Sequence, residues 1–433
     1  MDEKIIKTIV DAIDEKEVID FEQAIVNIPS FTTEETELAT YICDYMREFN
    51  GNLEVELQEV PLEGGTVSHN AFARLPGTGG GKNLLFFGHL DTAPIRGRAY
   101  AQEEFKNWKR DPFDSSVEDG WVYGKGCQDE KGGITAWVMA AKAIIDSGVK
   151  LKGDVIFVGV QGHKRVSSGT LFILENGLDA DYAINSENSG NMIINAFVGR
   201  SEGRFHIRSK ELHFHTKDIH TKFRGQLTAA EVMREVWNDL GPEMESPENG
   251  SWMTFEKSPY LPTYPQYRNE GIEFHRLGDV SLEFQIRTVP GMTDETIRAD
   301  LEKLLKKYEE KYSYIETEVV WPSRGRTRPA VSNPSDHPVV MSLAKWHEHI
   351  NGEVGEIGVL GRSGAAADAS HTHAAGIDSI LYGPGGGNTD NEYRLKGDLK
   401  LGPPDERVLV KDLVNTAKVF ALVAAEICGI SEE

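Results

Sequence analysis

Residues 84–91 have the sequence LLFFGHLD, in which an unbroken apolar run leads into a histidine and an aspartate. Similar apolar runs occur at 155–160, 182–184 and 379–382. Such runs are typical of strands that are buried on both faces, as in a parallel sheet. A helical pattern from about Gly133 to Ser147 separates the first two runs, as a crossover helix would. The sequence therefore predicts an α/β fold with a mixed, mostly parallel sheet flanked by helices.

Further helices are predicted near both ends of the chain. The spacing of the apolar residues indicates helices over about 3–27, 33–49, 338–350 and 408–427. These helices would cover the faces of the buried sheet.

A second kind of sheet is predicted between about Gly199 and Trp321. Its strands alternate apolar and polar residues, so one face should be exposed to solvent. We predict an inserted α/β sandwich that serves as a lid and dimerisation domain over 199–325, with the catalytic domain formed by 1–198 and 326–433. The predicted lid elements are strands at 204–207, 280–287 and 314–320 and helices at 227–240 and 293–308.

Polar residues follow each buried strand. His89 ends the first, Gly162 and His163 follow the second, Glu187 follows the third, and Asn388 lies shortly after the last. Open parallel sheets bind their ligands beyond the carboxyl ends of the strands. The convergence of separate segments predicts one functional site at that edge.

Composition restricts the partners of the protein. Lys and Arg total 46 against 69 Asp and Glu, and the resulting net charge of -23 argues against nucleic acid or an anionic membrane as a partner. The three irregularly spaced cysteines favour a reducing compartment over a disulfide framework. The charged N-terminus has no signal-peptide pattern. We therefore expect a cytoplasmic protein that acts on a small molecule.

Four motifs extend this prediction along the chain. They are HLDTAP at 89–94, DPF at 111–113 after Trp108, DGWVYGKGCQDEKGG at 119–133, and YGPG at 382–385. In order and spacing they resemble the aminoacylase, carboxypeptidase G and succinyl-diaminopimelate desuccinylase family of metallopeptidases. The resemblance covers nearly the whole chain, including the inserted lid, and implies a zinc-exopeptidase-like catalytic domain.

The resemblance implies two zinc ions around a bridging aspartate, which here matches Asp129. The other ligands of one ion match His89 and Glu187, and Asp91 would fix the imidazole of His89 by accepting a hydrogen bond. The ligands private to the second ion match His163 and Asn388, or, in a second alignment, the glutamate pair falls on His163 and Lys164. Neither alignment leaves a glutamate. We therefore predict one divalent ion per chain, Mn²⁺, Zn²⁺ or Co²⁺, held by His89, Asp129 and Glu187.

The resemblance also implies other catalytic groups, several of which are altered. Gly162 most closely matches the family's glutamate base, which leaves His163, His371 or His373 as the candidate base. His213, or alternatively His220, matches a lid histidine that stabilises an oxyanion across a dimer, so a homodimer or a higher even-numbered homo-oligomer is expected. The candidate substrate-binding residues are Arg287, which matches an arginine that pairs with a substrate carboxylate, His275 and Asn388.

Three functions remain compatible with these residues. The first is a single-metal hydrolase of a C–N bond in a small carboxylate-bearing substrate. The altered base and lid suggest the nitroanthranilate aminohydrolase offshoot of the family, in which water attacks an electron-poor ring. The second is the family default, a dipeptidase or N-acyl amino acid deacylase. The third is a catalytically silent homologue that binds a carboxylate. The retained set of Asp91 and the three predicted ligands argues against the third.

Overall fold

The computed structural model describes residues 1–62, 64–92, 105–106, 108–164, 167–210, 227–240, 266–276, 278–288, 290–323, 327–360, 367–385 and 405–432. Its helices are α1 (Glu3–Asp11), α2 (Glu15–Val26), α3 (Thr36–Arg47), α4 (Gly132–Asp146), α5 (Ser168–Glu175), α6 (Ala229–Leu240), α7 (Asp294–Lys311), α8 (Pro338–Asn351), α9 (Ala369–Ala374) and α10 (Val410–Ile427), with a π-helical turn at Cys127–Lys131. Among these helices, none combines the length and apolar character needed to cross a membrane.

The strands form three sheets in the described part of the chain. They are β1 (Glu54–Pro61), β2 (Val67–Leu75), β3 (Leu84–His89), β4 (Ser116–Glu118), β5 (Trp121–Tyr123), β6 (Val155–Val160), β7 (Tyr182–Asn185), β8 (Ile193–Phe197), β9 (Gly199–Ser209), β10 (Gln266–Arg276), β11 (Asp279–Thr288), β12 (Ile315–Val320), β13 (Val331–Ser332), β14 (Ile357–Leu360), β15 (Asp378–Leu381) and β16 (Arg407–Leu409).

The largest sheet is mixed, as predicted. Its order is β1-β2-β6-β3-β7-β15-β8-β13, and β14 pairs with β8. The central strands β6, β3, β7 and β15 run parallel, whereas β1, β2 and β8 pair antiparallel with their neighbours. Every residue of β3 and β6 is buried, which explains their unbroken apolar sequences. Helices α4 and α10 pack together against this sheet as part of one core.

The chain divides into two compact units. The first contains 1–196, 332–359 and 367–433, and the second contains 197–331 and 360–366. The second unit has a four-stranded sheet in the order β10-β11-β9-β12, with helices α6 and α7 packed on one face. Residues of β9 alternate between buried and partly exposed, as the predicted lid sheet requires. Strand β10 was not predicted.

The predicted single helix over 3–27 is wrong. The structure ends α1 at Asp11 and starts α2 at Glu15. Asp14 caps the second helix, because its side chain accepts a hydrogen bond from the backbone N–H of Glu17 at 2.9 Å. An aspartate followed three residues later by a glutamate is the sequence pattern of a helix start.

A buried carboxyl group in α2 links folding to pH. Glu22 is fully buried and accepts a hydrogen bond from the Thr135 hydroxyl at 2.5 Å. Burial raises the pKa of Glu22 to about 8, although Thr135 and Lys131 act in the opposite direction. The folded chain therefore retains a proton that the unfolded chain loses above its ordinary carboxyl pKa.

We expect Glu22→Gln to flatten the decline of stability with rising pH. Because the folded pKa of Glu22 is raised, its ionisation lowers the free energy of unfolding as pH rises from about 4.5 to 8, by up to roughly 4 kcal/mol. Urea denaturation at pH 5.5 and 8.5 measures the effect. Glu15→Gln, an exposed change in the same helix, is the control. Parallel pH profiles for the wild type and Glu22→Gln would contradict this expectation.

Candidate functional site

Three parallel strands bring the predicted site residues to one edge of the large sheet. Strand β3 lies between β6 and β7, in register with both. His89 is the last residue of β3, His163 follows the end of β6, and Glu187 follows the end of β7. Since parallel strands present their carboxyl ends at the same edge, these side chains meet there.

Gly88 makes room for this meeting. A Cβ atom at this position would lie 2.0 Å from Glu130 Oε1 and 2.5 Å from Ser186 Oγ. Any side chain at position 88 would therefore displace the Glu130 carboxyl group and the Ser186 hydroxyl group. The glycine before the histidine is required by close packing.

His89 lies at the centre of the acidic site. It is 2% exposed, and its Nε2 atom is 2.8 Å from Asp129 Oδ1 and 3.9 Å from Glu187 Oε1. Burial opposes protonation of His89, but the hydrogen bond and charge of Asp129 raise its pKa above the ordinary value. An imidazole drawn towards several carboxylates is well placed to exchange its proton for a metal ion.

Asp91 does not make its expected hydrogen bond to His89. Asp91 Oδ1 lies 3.7 Å from His89 Nδ1, beyond hydrogen-bond distance. Its two oxygens instead accept hydrogen bonds from the backbone N–H groups of His163 and Lys164, at 3.0 Å each. The Thr32 hydroxyl donates a further hydrogen bond to Oδ2 at 2.8 Å. Asp91 therefore fixes the main chain of the segment after β6.

Glu35 extends this support by one residue. Its Oε1 atom accepts a hydrogen bond from the backbone N–H of Gly162 at 3.1 Å, and its Oε2 atom accepts one from Ser68 Oγ at 2.7 Å. Burial and the charge of Asp91 raise the pKa of Glu35 to about 7. Together, Glu35 and Asp91 hold three consecutive amides.

His163 forms a pair with Asp368. Its Nδ1 atom lies 2.8 Å from Asp368 Oδ1, and a carboxylate at this position favours the tautomer with the proton on Nδ1. Asp368 is 2% exposed and also accepts hydrogen bonds from Ser167 Oγ and Thr170 Oγ1, at 2.6 and 2.8 Å. The His163 ring stacks on His89 with centroids 4.4 Å apart. This arrangement orients His163 as a base or a metal ligand.

Among residues 162–164, which follow β6, the described contacts join only Lys164 to Asp129. Its Nζ atom is 3.1 Å from each Asp129 carboxylate oxygen and 3.5 Å from His89 Nε2. Burial would lower the pKa of Lys164, but nearby carboxylates, Asp129 foremost, raise it. Conversely, burial would raise the pKa of Asp129, but Lys164 and His89 hold it well below its usual range. Lys164 and Asp129 therefore form an ion pair between an ammonium group and a carboxylate group.

Glu130 is a buried carboxyl group beside His89. Its Oε1 atom accepts a hydrogen bond from Ser186 Oγ at 2.9 Å, and its Oε2 atom is 3.6 Å from His89 Nε2. Burial and repulsion from Glu187 raise the pKa of Glu130 well above its usual range. The two neighbouring carboxyl groups therefore differ, because the site favours the neutral form of Glu130 and the ionised form of Asp129.

The donor set suits a divalent cation. His89, His163 and Glu187 each offer a ligand atom, and these atoms lie within 4.8 Å of one another. Two imidazoles and a carboxylate are ligands that zinc, cobalt and manganese accept. The structure thus adds His163 to the predicted group, while Asp129 contacts both His89 and Lys164.

No described contact joins the other predicted site residues to the cluster of His89, His163 and Glu187. Arg287 lies in β11, opposite Arg200 of β9. His371 is buried in α9, and His373 Nδ1 is 3.5 Å from Asp378 Oδ1. His275 belongs to β10, but its side chain lies outside the described part of the structure, as do the whole of His213, His220 and Asn388.

Some residues with specific contacts in the site are not predicted from the sequence. No motif marks Asp368 as a partner of His163. Lys164 was noted only as an alternative alignment position. The second alignment, which places the glutamate pair on His163 and Lys164, was the available signal for Lys164. The contact of Asp368 joins segments 205 residues apart.

Comparison with protein families gives an independent result. The sequence model described as Peptidase family M20/M25/M40 matches residues 85–426. An N-formyl-4-amino-5-aminomethyl-2-methylpyrimidine deformylase of Bacillus subtilis is 26% identical over 386 residues, covering 84% of each chain. A succinyl-diaminopimelate desuccinylase of Hydrogenovibrio crunogenus is 23% identical, covering 93% of this chain and 97% of that protein.

Solved structures support the fold. The aminopeptidase PepT from Bacillus cereus superposes with a TM-score of 0.69 at 16% identity, covering 96% of this chain and all of that chain. The YXEP protein of Bacillus subtilis, described as a dinuclear metal-binding peptidase of the M20 family, has a TM-score of 0.63 at 13% identity, covering 95% and 98%. The predicted fold class and the predicted family are both confirmed.

Proposed function

The chain belongs to peptidase family M20/M25/M40, a family of hydrolases that act on C–N bonds, and on that premise we propose that it cleaves a C–N bond in a small carboxylate-bearing substrate with one divalent metal ion. The observation that carries the proposal is the position of His89 at the carboxyl edge of the sheet, where its Nε2 atom lies 2.8 Å from Asp129 Oδ1 and 3.9 Å from Glu187 Oε1.

His89, Asp129 and Glu187 are the proposed ligands, and the ion would be Mn²⁺, Zn²⁺ or Co²⁺. When bound there, a divalent ion would polarise water or the substrate's leaving group. Glu406 helps to place Asp129, because its Oε1 atom accepts hydrogen bonds from the backbone N–H groups of Gln128 and Asp129, at 3.1 Å each. Asp91 and Glu35 place the opposing segment.

His163 is the proposed general base. Its Nε2 atom lies 3.8 Å from Glu187 Oε1, beside the proposed ligands, while Asp368 holds the proton on Nδ1. Nε2 would take a proton from the attacking water and return it to the departing nitrogen. No glutamate occurs at positions 162–164 to perform this step.

Arg287 is the proposed contact for the substrate carboxylate, because a guanidinium can bind a planar anion through two parallel hydrogen bonds. His275 and Asn388 are proposed as further substrate contacts, and His213 as an oxyanion donor from a second subunit. Strands β10 and β12 are the outer strands of the four-stranded sheet in the second unit. Pairing through an outer strand would give the proposed even-numbered homo-oligomer.

A second candidate reaction is the deamination of a nitro-substituted anthranilate. The altered base favours it: an imidazole replaces a glutamate, so attack should be fastest on a carbon that its own ring makes electrophilic. The partly buried Lys164 ammonium adds positive charge to the site where negative charge would develop. The peptidase and deacylase reactions of the relatives remain the alternative.

A substrate panel tests the proposal. N-acyl amino acids, N-formyl amines, dipeptides and nitroanthranilates are incubated with protein that has been stripped of metal and with protein reloaded with Mn²⁺. We expect metal-dependent release of an amine or ammonia in at least one class. Nitroanthranilate turnover without dipeptide turnover favours ring attack, and the reverse result favours the peptidase reaction. Failure of every class under saturating metal would support a silent carboxylate-binding protein.

Arg287→Met should raise KM for the active substrate at least about tenfold with little change in kcat, because a hydrogen bond to a charged group contributes about 1.5–3 kcal/mol. The matched control is Arg204→Met, which removes an arginine paired with Glu283 on the same sheet. An unchanged KM in Arg287→Met, or an equal rise in both variants, would remove Arg287 from the substrate site.

A further inference from the structure

We propose that the Lys164 ammonium takes the place of a second metal ion on the Asp129 carboxylate. The site is thereby limited to one metal ion. This inference rests on the proposed single-ion function and names the residue that enforces it. The number of bound metal ions and their affinity can be measured without any substrate.

The contacts place the ammonium where a cation on Asp129 would bind. Lys164 Nζ is equidistant from the two carboxylate oxygens, at 3.1 Å from each. Asp129 Oδ1 also lies 2.8 Å from His89 Nε2, so this oxygen faces a proposed ligand of the first ion. A second cation on the same carboxylate would meet the positive charge of the ammonium at either oxygen.

The position of Lys164 is set by its main chain. The backbone N–H of Lys164 donates to Asp91 Oδ2, and the two preceding amides donate to Asp91 Oδ1 and Glu35 Oε1. The side chain is 15% exposed, so the ammonium is held inside the site. A lysine fixed at both ends is a structural part of the cluster, unlike a lysine that extends from the surface.

The charge has two consequences for metal binding. A carboxylate at position 164 would convert the cationic position into a pair of carboxylates with Asp129, which is a ligand set for a second ion. An uncharged side chain would create no ligand pair but would remove the repulsion that the ammonium, 3.5 Å from His89 Nε2, exerts on the first ion.

Equilibrium dialysis against Mn²⁺ alone, with metal analysis, tests the inference in wild type, Lys164→Glu and Lys164→Gln. We expect one ion per chain in the wild type, two in Lys164→Glu at saturation, and one in Lys164→Gln with a dissociation constant at least about tenfold lower. Lys142→Gln is the control, because it removes a lysine paired with Glu17 and Asp146 away from the cluster. Circular dichroism checks that each variant is folded.

The outcomes separate this inference from the proposed function. One ion in the wild type together with one ion in Lys164→Glu, or an unchanged dissociation constant in Lys164→Gln, would overturn the role of Lys164 and leave the single-ion function standing. Two ions in the wild type would overturn the single-ion function itself. If Lys164→Glu does not fold, the affinity of Lys164→Gln decides the question.

Discussion

Replacing His89 with alanine should abolish activity and weaken metal binding by more than about 100-fold. The buried imidazole contacts Asp129 and lies beside Glu187, so its removal takes the nitrogen ligand from the proposed set. Even partners outside the ligand set commonly change metal affinity by about 10–100-fold, and loss of a ligand should exceed that range. Mn²⁺ dialysis and the activity assay measure both effects.

His69→Ala is the matched control for this change. His69 lies on β2 of the same sheet, and its Nδ1 atom makes a 2.9 Å hydrogen bond with Thr36 Oγ1 instead of a contact in the cluster. It should retain metal and activity. A His89→Ala protein that binds Mn²⁺ as tightly as the wild type would show that the ion binds elsewhere.

Asp368→Asn should lower kcat by about 10²–10⁴ while leaving the number of bound ions unchanged, the range expected when general base catalysis is lost. The carboxylate accepts from His163 Nδ1, whereas an amide NH₂ at this position can donate to Nδ1 and so place the imidazole proton on Nε2. His163 would then have no lone pair for the attacking water. Steady-state kinetics and metal analysis on the same protein sample provide the measurement.

A double-mutant cycle separates a base from a metal ligand. If His163 acts as the base through Asp368, His163→Gln should reduce kcat as much as the double variant does, because the two residues work as a unit. Loss of the metal from His163→Gln would identify His163 as a ligand, in agreement with its place in the cluster. Asp378→Asn, at a carboxylate 3.3 Å from His337 and 3.5 Å from His373, is the control.

The fold was predictable where local pattern and burial agree. The unbroken apolar runs became β3 and β6, which are buried throughout, and the alternating run became β9. The error over 3–27 arose because apolar periodicity continues past Asp14, although the capping pattern of Asp14 and Glu17 marks the break. Strand β10 is harder to predict, because its register shifts between Asn269 and Gly271 and this irregularity interrupts the alternation of apolar and polar residues.

The site was predictable only in part. His89 and Glu187 follow predicted strands, so the topology alone places them together. Asp368 is different: it reaches His163 from a segment just before α9, and no local pattern encodes that contact. The expected hydrogen bond from His89 to Asp91 failed for a similar reason, because the amides of His163 and Lys164 compete for the same carboxylate.

Titration of metal-free protein with Mn²⁺ tests the central claim most directly. Activity on the substrate identified by the panel is measured at each addition, together with the amount of bound metal. The single-ion account predicts that activity rises linearly with bound Mn²⁺ and reaches its plateau at one ion per chain. A plateau reached only at two ions per chain, or full activity in the metal-free protein, would contradict it.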